Sequence, residues 1–354
     1  MRRKITWMCL VVMVIAALML VGCAKPEPTP TPTPSPTPTQ KQKVELKYTT
    51  WQPPTHTLTV TAQKAFDELD KKTNGRIKIT IHHSASLMTE REVVEGVSVG
   101  IADAGLLYGP LFASTIPLLS ATQLPLVFAD AEHASRTLTD PSYFNVVSKF
   151  LSPYGVTAVG IAWVGSYMPV SVDKQIKVPS DLKGLKVRAG GKIPTDLAKV
   201  LGGAPVSMSS TEVYEAFMRG LLDVCLMNPS GQFNYKWWEV AKYVEWFELY
   251  SGDATLIMSN KTMQSLSSED LKLVEETLKT AGKYMSDAFA LKQLPGGEFY
   301  KNTFEKYTVH EPSAAEIKLW YDATRPITDA YYDTLSSKDK GIFDEMMALI
   351  KKHK

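Results

Sequence analysis

Residues 92 to 103 read EVVEGVSVGIAD, and residues 212 to 223, 120 positions later, read EVYEAFMRGLLD. Glu, Val, Glu, Gly and Asp recur at the same offsets. Each copy opens on the Ser, Thr or Glu residues that start helices, keeps amphipathic spacing, and ends on a glycine suited to the left-handed C-terminal cap. Each then passes through Asp103 or Asp223 into a short apolar run, Ala104 to Leu107 or Val224 to Met227. A helix-to-strand unit that occurs twice predicts two similar α/β lobes, and a chain of 354 residues is long enough for two cores.

The start of the first lobe agrees. Val44, Leu46 and Tyr48 alternate, Gln52-Pro53-Pro54 breaks the run, and Ala62, Ala65, Phe66 and Leu69 follow at helical spacing up to Asn74-Gly75. Residues 76 to 81 alternate again, so the segment is a βαβ unit with parallel strands. Lobes of this kind bind ligands in the crevice outside the carboxyl ends of their strands. In the second lobe a short strand, Leu185 to Val187, ends on Arg188 and runs into Ala189-Gly190-Gly191, where the bare backbone permits close approach. A guanidinium there is either a solvated surface charge or the anchor for an anion. The C-terminal third reads as long helices. One is capped at Ser267 to Asp270 and runs to Leu291, another follows Pro312-Ser313 towards Tyr332, and a last one spans about Ser337 to Ile350. Such helices are expected to bridge the lobes and set a hinge.

The N-terminus carries a separate message. Arg2-Arg3-Lys4 precedes an apolar stretch from Trp7 to Leu20, too short for a comfortable membrane span, which ends in Leu20-Val21-Gly22-Cys23. That tetrapeptide reads as a lipobox, with Cys23 as the expected lipidated residue; the alternative is an uncleaved anchor helix, which also leaves the rest of the chain outside the cytoplasmic membrane. Alternating proline and threonine then fill much of residues 24–43. At about 3.1 Å per residue an extended polyproline segment of this length holds a domain up to ~60 Å from its anchor. The expected organisation is a signal peptide at 1–22, a lipidated tether at 23–43, lobe I at 44–165 plus about 254–293, and lobe II at about 166–253 plus 294–354. The chain is placed outside the cytoplasmic membrane. Once the leader with its three basic residues is gone, charges are nearly balanced, which argues against a nucleic-acid partner. Only Cys225 remains beyond the leader and the lipid site, so the mature chain forms no internal disulfide.

The run Pro179-Ser180-Asp181-Leu182-Lys183-Gly184-Leu185-Lys186-Val187-Arg188 resembles the solute-binding proteins of TRAP transporters, the tripartite ATP-independent periplasmic systems. Trp51 to His56, Leu124 to Phe128, Gly202 to Val206, Thr211 to Ala216 and Glu239 to Tyr243 continue the likeness in order over nearly all of residues 44–354. It implies an α/β, two-lobed, periplasmic-binding-protein-like fold with mostly parallel sheets, a hinge, and long C-terminal bridging helices. It also implies that Arg188 pairs with a ligand carboxylate, and that a membrane permease driven by an ion gradient is the partner. A planar guanidinium suits that task independently, because two parallel N–H donors match two carboxylate oxygens and lysine cannot reproduce the fork.

Other site residues follow from the resemblance. Asn228, before Pro229, stands where family pockets place a polar residue, although one residue further from Asp223 than usual, which makes Met227 a rival. Tyr108 lies where some members have a glutamate, and Ser210 where some have a ring. Tyr167 falls near the position of a second arginine in many members. Trp51, Trp163, Tyr108 and Tyr167 together suggest one strong charge among flat apolar walls, which favours a small organic monocarboxylate over a dicarboxylate.

Enzyme chemistry finds little support. No histidine pair has helical metal-ligand spacing, and adjacent His82 and His83 point to opposite faces of a strand. Gly191-Lys192 lacks the Ser or Thr of a phosphate loop, Gly165-Ser166-Tyr167 lacks the spacing of a nucleophile elbow, and Cys225 has no assigned base. The expectation is a binding protein with no cofactor and no metal. Two other readings stand beside delivery to a permease: a lipid-anchored ligand-sensing subunit of a signalling protein, and an extracellular hydrolase, which would need a pair of cleft carboxylates.

Overall fold

The computed structural model describes residues 42–353. The signal segment, Cys23 and the tether up to residue 41 lie outside the described residues. Residues 43–354 form one unit, and no described helix is long and apolar enough to cross a membrane. In chain order the strands are β1 (Val44–Thr49), β2 (Ile77–His82), β3 (Ala104–Leu107), β4 (Val156–Ser171), β5 (Lys186–Ala189), β6 (Ala204–Ser207), β7 (Val224–Met227), β8 (Tyr243–Glu245), β9 (Tyr250–Ser259) and β10 (Thr308–His310).

The βαβ unit forms where alternation and helical spacing place it. β1 and β2 pair in parallel from Val44 opposite Ile77 to Thr49 opposite His82. The connecting helix Thr57–Lys72 buries Leu58, Ala62, Ala65, Phe66 and Leu69. β3 adds in parallel on the other side of β1. The second half repeats this plan, with β6 and β7 flanking β5, both parallel to it.

The internal repeat has a structural cause. Helices Val93–Val99 and Val213–Met218 precede β3 and β7. Gly100 and Gly220 adopt φ of 93° and 64°, the left-handed region a glycine tolerates best. The repeated aspartates do the same work in both halves. The Asp103 carboxylate accepts from the Lys47 amide at 2.8 Å, and its own amide donates to the Lys47 carbonyl at 2.9 Å. Asp223 makes the same reciprocal pair with Lys186, at 2.7 and 2.9 Å. Each aspartate thus fixes where its helix hands over to the sheet.

The halves are joined by two long strands. β4 and β9 run antiparallel from Val156 opposite Ser259 to Tyr167 opposite Tyr250. The main sheet order is β2-β1-β3-β9-β4-β7-β5-β6, with β8 and β10 branching from β4. The expected mostly parallel arrangement therefore holds in the two wings, while β4 and β9 pair antiparallel with each other and with β3, β7 and β8. The reason is topological: one strand leaves the first half and the other returns to it.

At the crossing, register shifts between Trp163 and Gly165, where Gly165 faces Gly252 and takes φ +114°. Glu248 bridges the two strands there. One of its oxygens accepts from Ser166 Oγ at 2.7 Å and the other from Ser251 Oγ.

Of the C-terminal helices, Ala314–Thr334 reaches both halves, its Tyr331 hydroxyl donating to the first-half Pro117 carbonyl at 2.7 Å. Ser268–Gln293 packs on Thr57–Lys72 and on β4, its Ser286 and Gln293 side chains accepting the Trp163 and Ser166 amides at 2.9 and 3.2 Å. Ala314–Thr334 packs on the second-half helix Lys192–Val200, where Trp320 Nε1 donates to the Lys177 carbonyl. The last helix, Ser337–Lys352, which the sequence reading grouped with lobe II, packs instead on first-half helices Ala131–Leu138 and Pro141–Leu151. Lys149 pairs with Glu345 at 2.6 Å, and His353 Nε2 lies 2.7 Å from Asp140. Buried Ile342, Phe343, Met346 and Ile350 on one face of this helix supply the apolar stripe that docks it.

A pH dependence follows from Glu248. Burial pushes its carboxyl up to about 7 from an ordinary 4.5, against the two serine hydroxyl bonds that pull the other way. The folded chain therefore holds a proton that the unfolded chain releases between these values, and stability falls as pH rises through about 7. Asp253, raised to about 6 by burial, adds to the same trend. Since Glu248 retains some solvent access, its share is about 2 kcal/mol. Urea unfolding at pH 5.5 and 8.5 is expected to show higher stability at the lower pH, and Glu248→Gln to remove most of the difference. An unchanged difference in that variant would refute the assignment.

Candidate functional site

A cavity of about 710 Å³ lies at the carboxyl ends of β3, β5 and β7, and its walls include Trp51, Tyr108, Tyr167, Arg188, Ser210, Met227 and Asn228. The repeat explains part of this convergence. Tyr108 follows β3 as Asn228 follows β7, again 120 residues apart.

Arg188 sits one residue before the end of β5. Its Nε donates to the Met208 carbonyl at 3.2 Å and its Nη2 to Ser210 Oγ at 3.1 Å. No described carboxylate forms an ion pair with it; its guanidinium lies beside the buried Cys225 thiol and lines the cavity without a counter-ion among the described residues. Gly190 is the reason the guanidinium fits. A Cβ at that position would stand 2.5 Å from Nη1, 2.6 Å from Cζ and 2.7 Å from Nη2. The glycine after the arginine is a space requirement of the folded side chain, and Ser210 serves to aim it.

The aromatic wall is a connected set. The Tyr108 and Tyr167 hydroxyls lie 3.4 Å apart, and Gln123 Nε2 donates to Tyr108 at 3.2 Å. Tyr167 stacks on Tyr250 with centroids 4.7 Å apart, and Trp51 tilts against Tyr108 at 6.4 Å. Burial raises the Tyr108 and Tyr167 phenols, which stay neutral. His56 also lines the cavity. Burial and, second, the field of Lys292 push it down to about 4, while its Nδ1 accepts from the Leu58 amide. It adds no charge.

Asn228 and Met227 both line the cavity, so neither displaces the other. Asn228 Oδ1 caps helix Pro229–Asn234 through the Gly231 amide at 2.8 Å, and its Nδ2 donates to the Val164 carbonyl at 2.6 Å. The Nδ2 bond ties the second half to β4, and the Oδ1 bond is spent within the second half.

Trp163 is the exception among the expected residues. It is fully buried, does not line the cavity, and donates from Nε1 to Ser251 Oγ at 3.1 Å. Strict alternation along β4 would put Trp163 and Tyr167 on one face. The register shift after Trp163 breaks that alternation, so Val164 and Tyr167 reach the cavity and Trp163 turns into the core. The cavity also includes Gln52, Glu90, Arg91 and Tyr235, which the sequence reading did not single out. For Glu90 a signal was present: it precedes Ser210 by the repeat's own 120 residues.

Two α/β halves joined by crossing strands, with a counter-ion-free guanidinium in a cavity at their strand ends, define a binding protein for a small anion. The chain belongs to the bacterial extracellular solute-binding proteins, family 7 (DctP), whose family model matches residues 48–335. These are transport proteins, not enzymes. The chain is 25% identical to the 2,3-diketo-L-gulonate-binding periplasmic protein YiaO of Escherichia coli over 242 residues, 68% of this chain and 73% of the relative. It superposes on DctP7, a Bordetella pertussis extracytoplasmic solute receptor binding pyroglutamic acid, with a TM-score of 0.77 at 18% identity over 87% of this chain and 99% of the other. A TRAP periplasmic solute-binding protein from Shewanella oneidensis with bound succinate matches with a TM-score of 0.75 at 18% identity, again over 87% and 99%.

Proposed function

We propose that this protein captures a small organic monocarboxylate through Arg188 and delivers it to an ion-gradient-driven TRAP permease, held at the membrane by a lipid on Cys23. The observation that carries the reading is the cavity-lining guanidinium folded on Gly190, with no carboxylate partner among the described residues. Such a half-buried charge gains most when an anion arrives and the lobes close, because water is excluded and the local dielectric falls. The lobes are taken as residues 44–165 with about 254–293, and about 166–253 with most of the remainder. The packing of Ser337–Lys352 supports returning that helix to the first lobe.

The case for a single carboxylate rests on Tyr167, Tyr108 and Trp51, flat neutral surfaces where a second cation would otherwise serve a second carboxylate. Among the relatives both kinds of ligand occur: the names of YiaO and DctP7 give monocarboxylates, and the Shewanella oneidensis structure holds a dicarboxylate. Thermal-shift screening of the ligand-free protein is expected to show larger stabilisation by monocarboxylates than by succinate or malate. The reverse order would reject the single-carboxylate assignment.

A further inference from the structure

The repeat that builds the two halves extends upstream of its helices. In the second half Glu212 accepts from the Ser209 amide at 2.7 Å, and in the first half Glu92 accepts from the Thr89 amide at 2.8 Å. The residue after each capping position, Ser210 and Glu90, therefore occupies corresponding places at the start of the two repeat helices. Both line the cavity. Ser210 is committed to Arg188, whereas the Glu90 carboxylate accepts no hydrogen bond and forms no ion pair among the described residues. It is half-buried all the same.

Other charges at the cavity do not neutralise it. Lys192 is held by Asp196 at 2.6 Å. Arg91 is exposed, so its field is weakened by solvent. Burial raises the Glu90 carboxyl, and Arg91 and then Arg188 oppose that rise, which puts Glu90 within electrostatic reach of the anion anchor. The cavity thus presents a bare cation from one half and an unpaired carboxylate from the other.

We propose that Glu90 is a specificity-determining residue: it accepts a hydrogen bond from a hydroxyl or ammonium group on the ligand, remote from the carboxylate held by Arg188, and disfavours a second carboxylate there. The inference rests on the carboxylate reading of Arg188. It narrows the ligand class to hydroxylated or zwitterionic acids, whose apolar faces suit the wall of Trp51 and Tyr108. An unmet carboxylate gains from a donor and loses from a like charge, and a hydrogen bond to a charged group is worth about ten- to a hundredfold in affinity.

Four acids that differ only at the far end separate these effects: hexanoate, 6-hydroxyhexanoate, 6-aminohexanoate and adipate, titrated calorimetrically into the ligand-free protein. The wild type is expected to bind the hydroxy and amino acids about tenfold more tightly than hexanoate, and adipate most weakly. Glu90→Gln, which keeps the shape and removes the charge, is expected to lose the 6-aminohexanoate preference and to gain about tenfold for adipate, with hexanoate little changed. Arg188→Lys is expected to weaken all four. If it leaves hexanoate unaffected, or if none of the four binds the wild type, the carboxylate reading falls and this one with it. If Arg188→Lys weakens all four while Glu90→Gln preserves their order, or tightens them equally, the role of Glu90 alone is overturned.

Discussion

Arg188→Lys is expected to weaken binding of the preferred carboxylate by roughly a hundredfold or more, with the melting temperature of the ligand-free protein nearly unchanged. Lysine keeps the charge but loses the fork, and with it both contacts that aim the native side chain, to the Met208 carbonyl and to Ser210 Oγ. Nothing else in the described fold leans on the guanidinium for an ion pair, so its loss belongs to affinity and not to stability. Gly190→Ala is a second route to the same result. Its methyl would occupy the space of the guanidinium, within 2.5 to 2.7 Å of three of its atoms, so the arginine must swing away although its charge and sequence position are intact. Calorimetry on both variants decides the matter. Full affinity in Arg188→Lys would remove the arginine from the site.

Trp163→Ala is expected to cost about 3 to 5 kcal/mol of stability, read by urea unfolding. The indole is fully buried, and its Nε1 bond to Ser251 on β9 sits one residue from the Gly165–Gly252 crossing. Trp163→Phe keeps most of the volume and loses the hydrogen bond, for about 1 to 2 kcal/mol. A cavity-lining tryptophan would behave differently, giving weaker ligand binding with stability largely retained. That pattern would restore the sequence-based placement of Trp163.

Much of the lining of the candidate site was legible in the sequence. Arg188 followed by two glycines, the aromatic Trp51, Tyr108 and Tyr167, and the polar Asn228 and Ser210 all line one cavity. What could not be read was the job each side chain does. Ser210 aims Arg188, and Asn228 spends its amide on a helix cap and on β4. Such roles depend on partners distant in the chain. Glu90 is legible only when residues are matched across the repeat, 120 positions before Ser210.

Elements set by near neighbours were within reach of the sequence alone: alternation in β1 and β2, helical spacing from Ala62 to Leu69, glycine at the left-handed ends of both repeat helices, and the paired aspartates that start β3 and β7. Their causes are backbone sterics and the burial of one face, which act over a few residues. Long-range contacts decided the rest. The two crossing strands run antiparallel because the chain leaves one half and returns to it. A one-residue slip beside Gly165 turns Trp163 into the core and Tyr167 to the cavity, and the final helix docks on the first half. Each of these is settled by which surfaces find one another in space, and no local pattern of residue types records that choice.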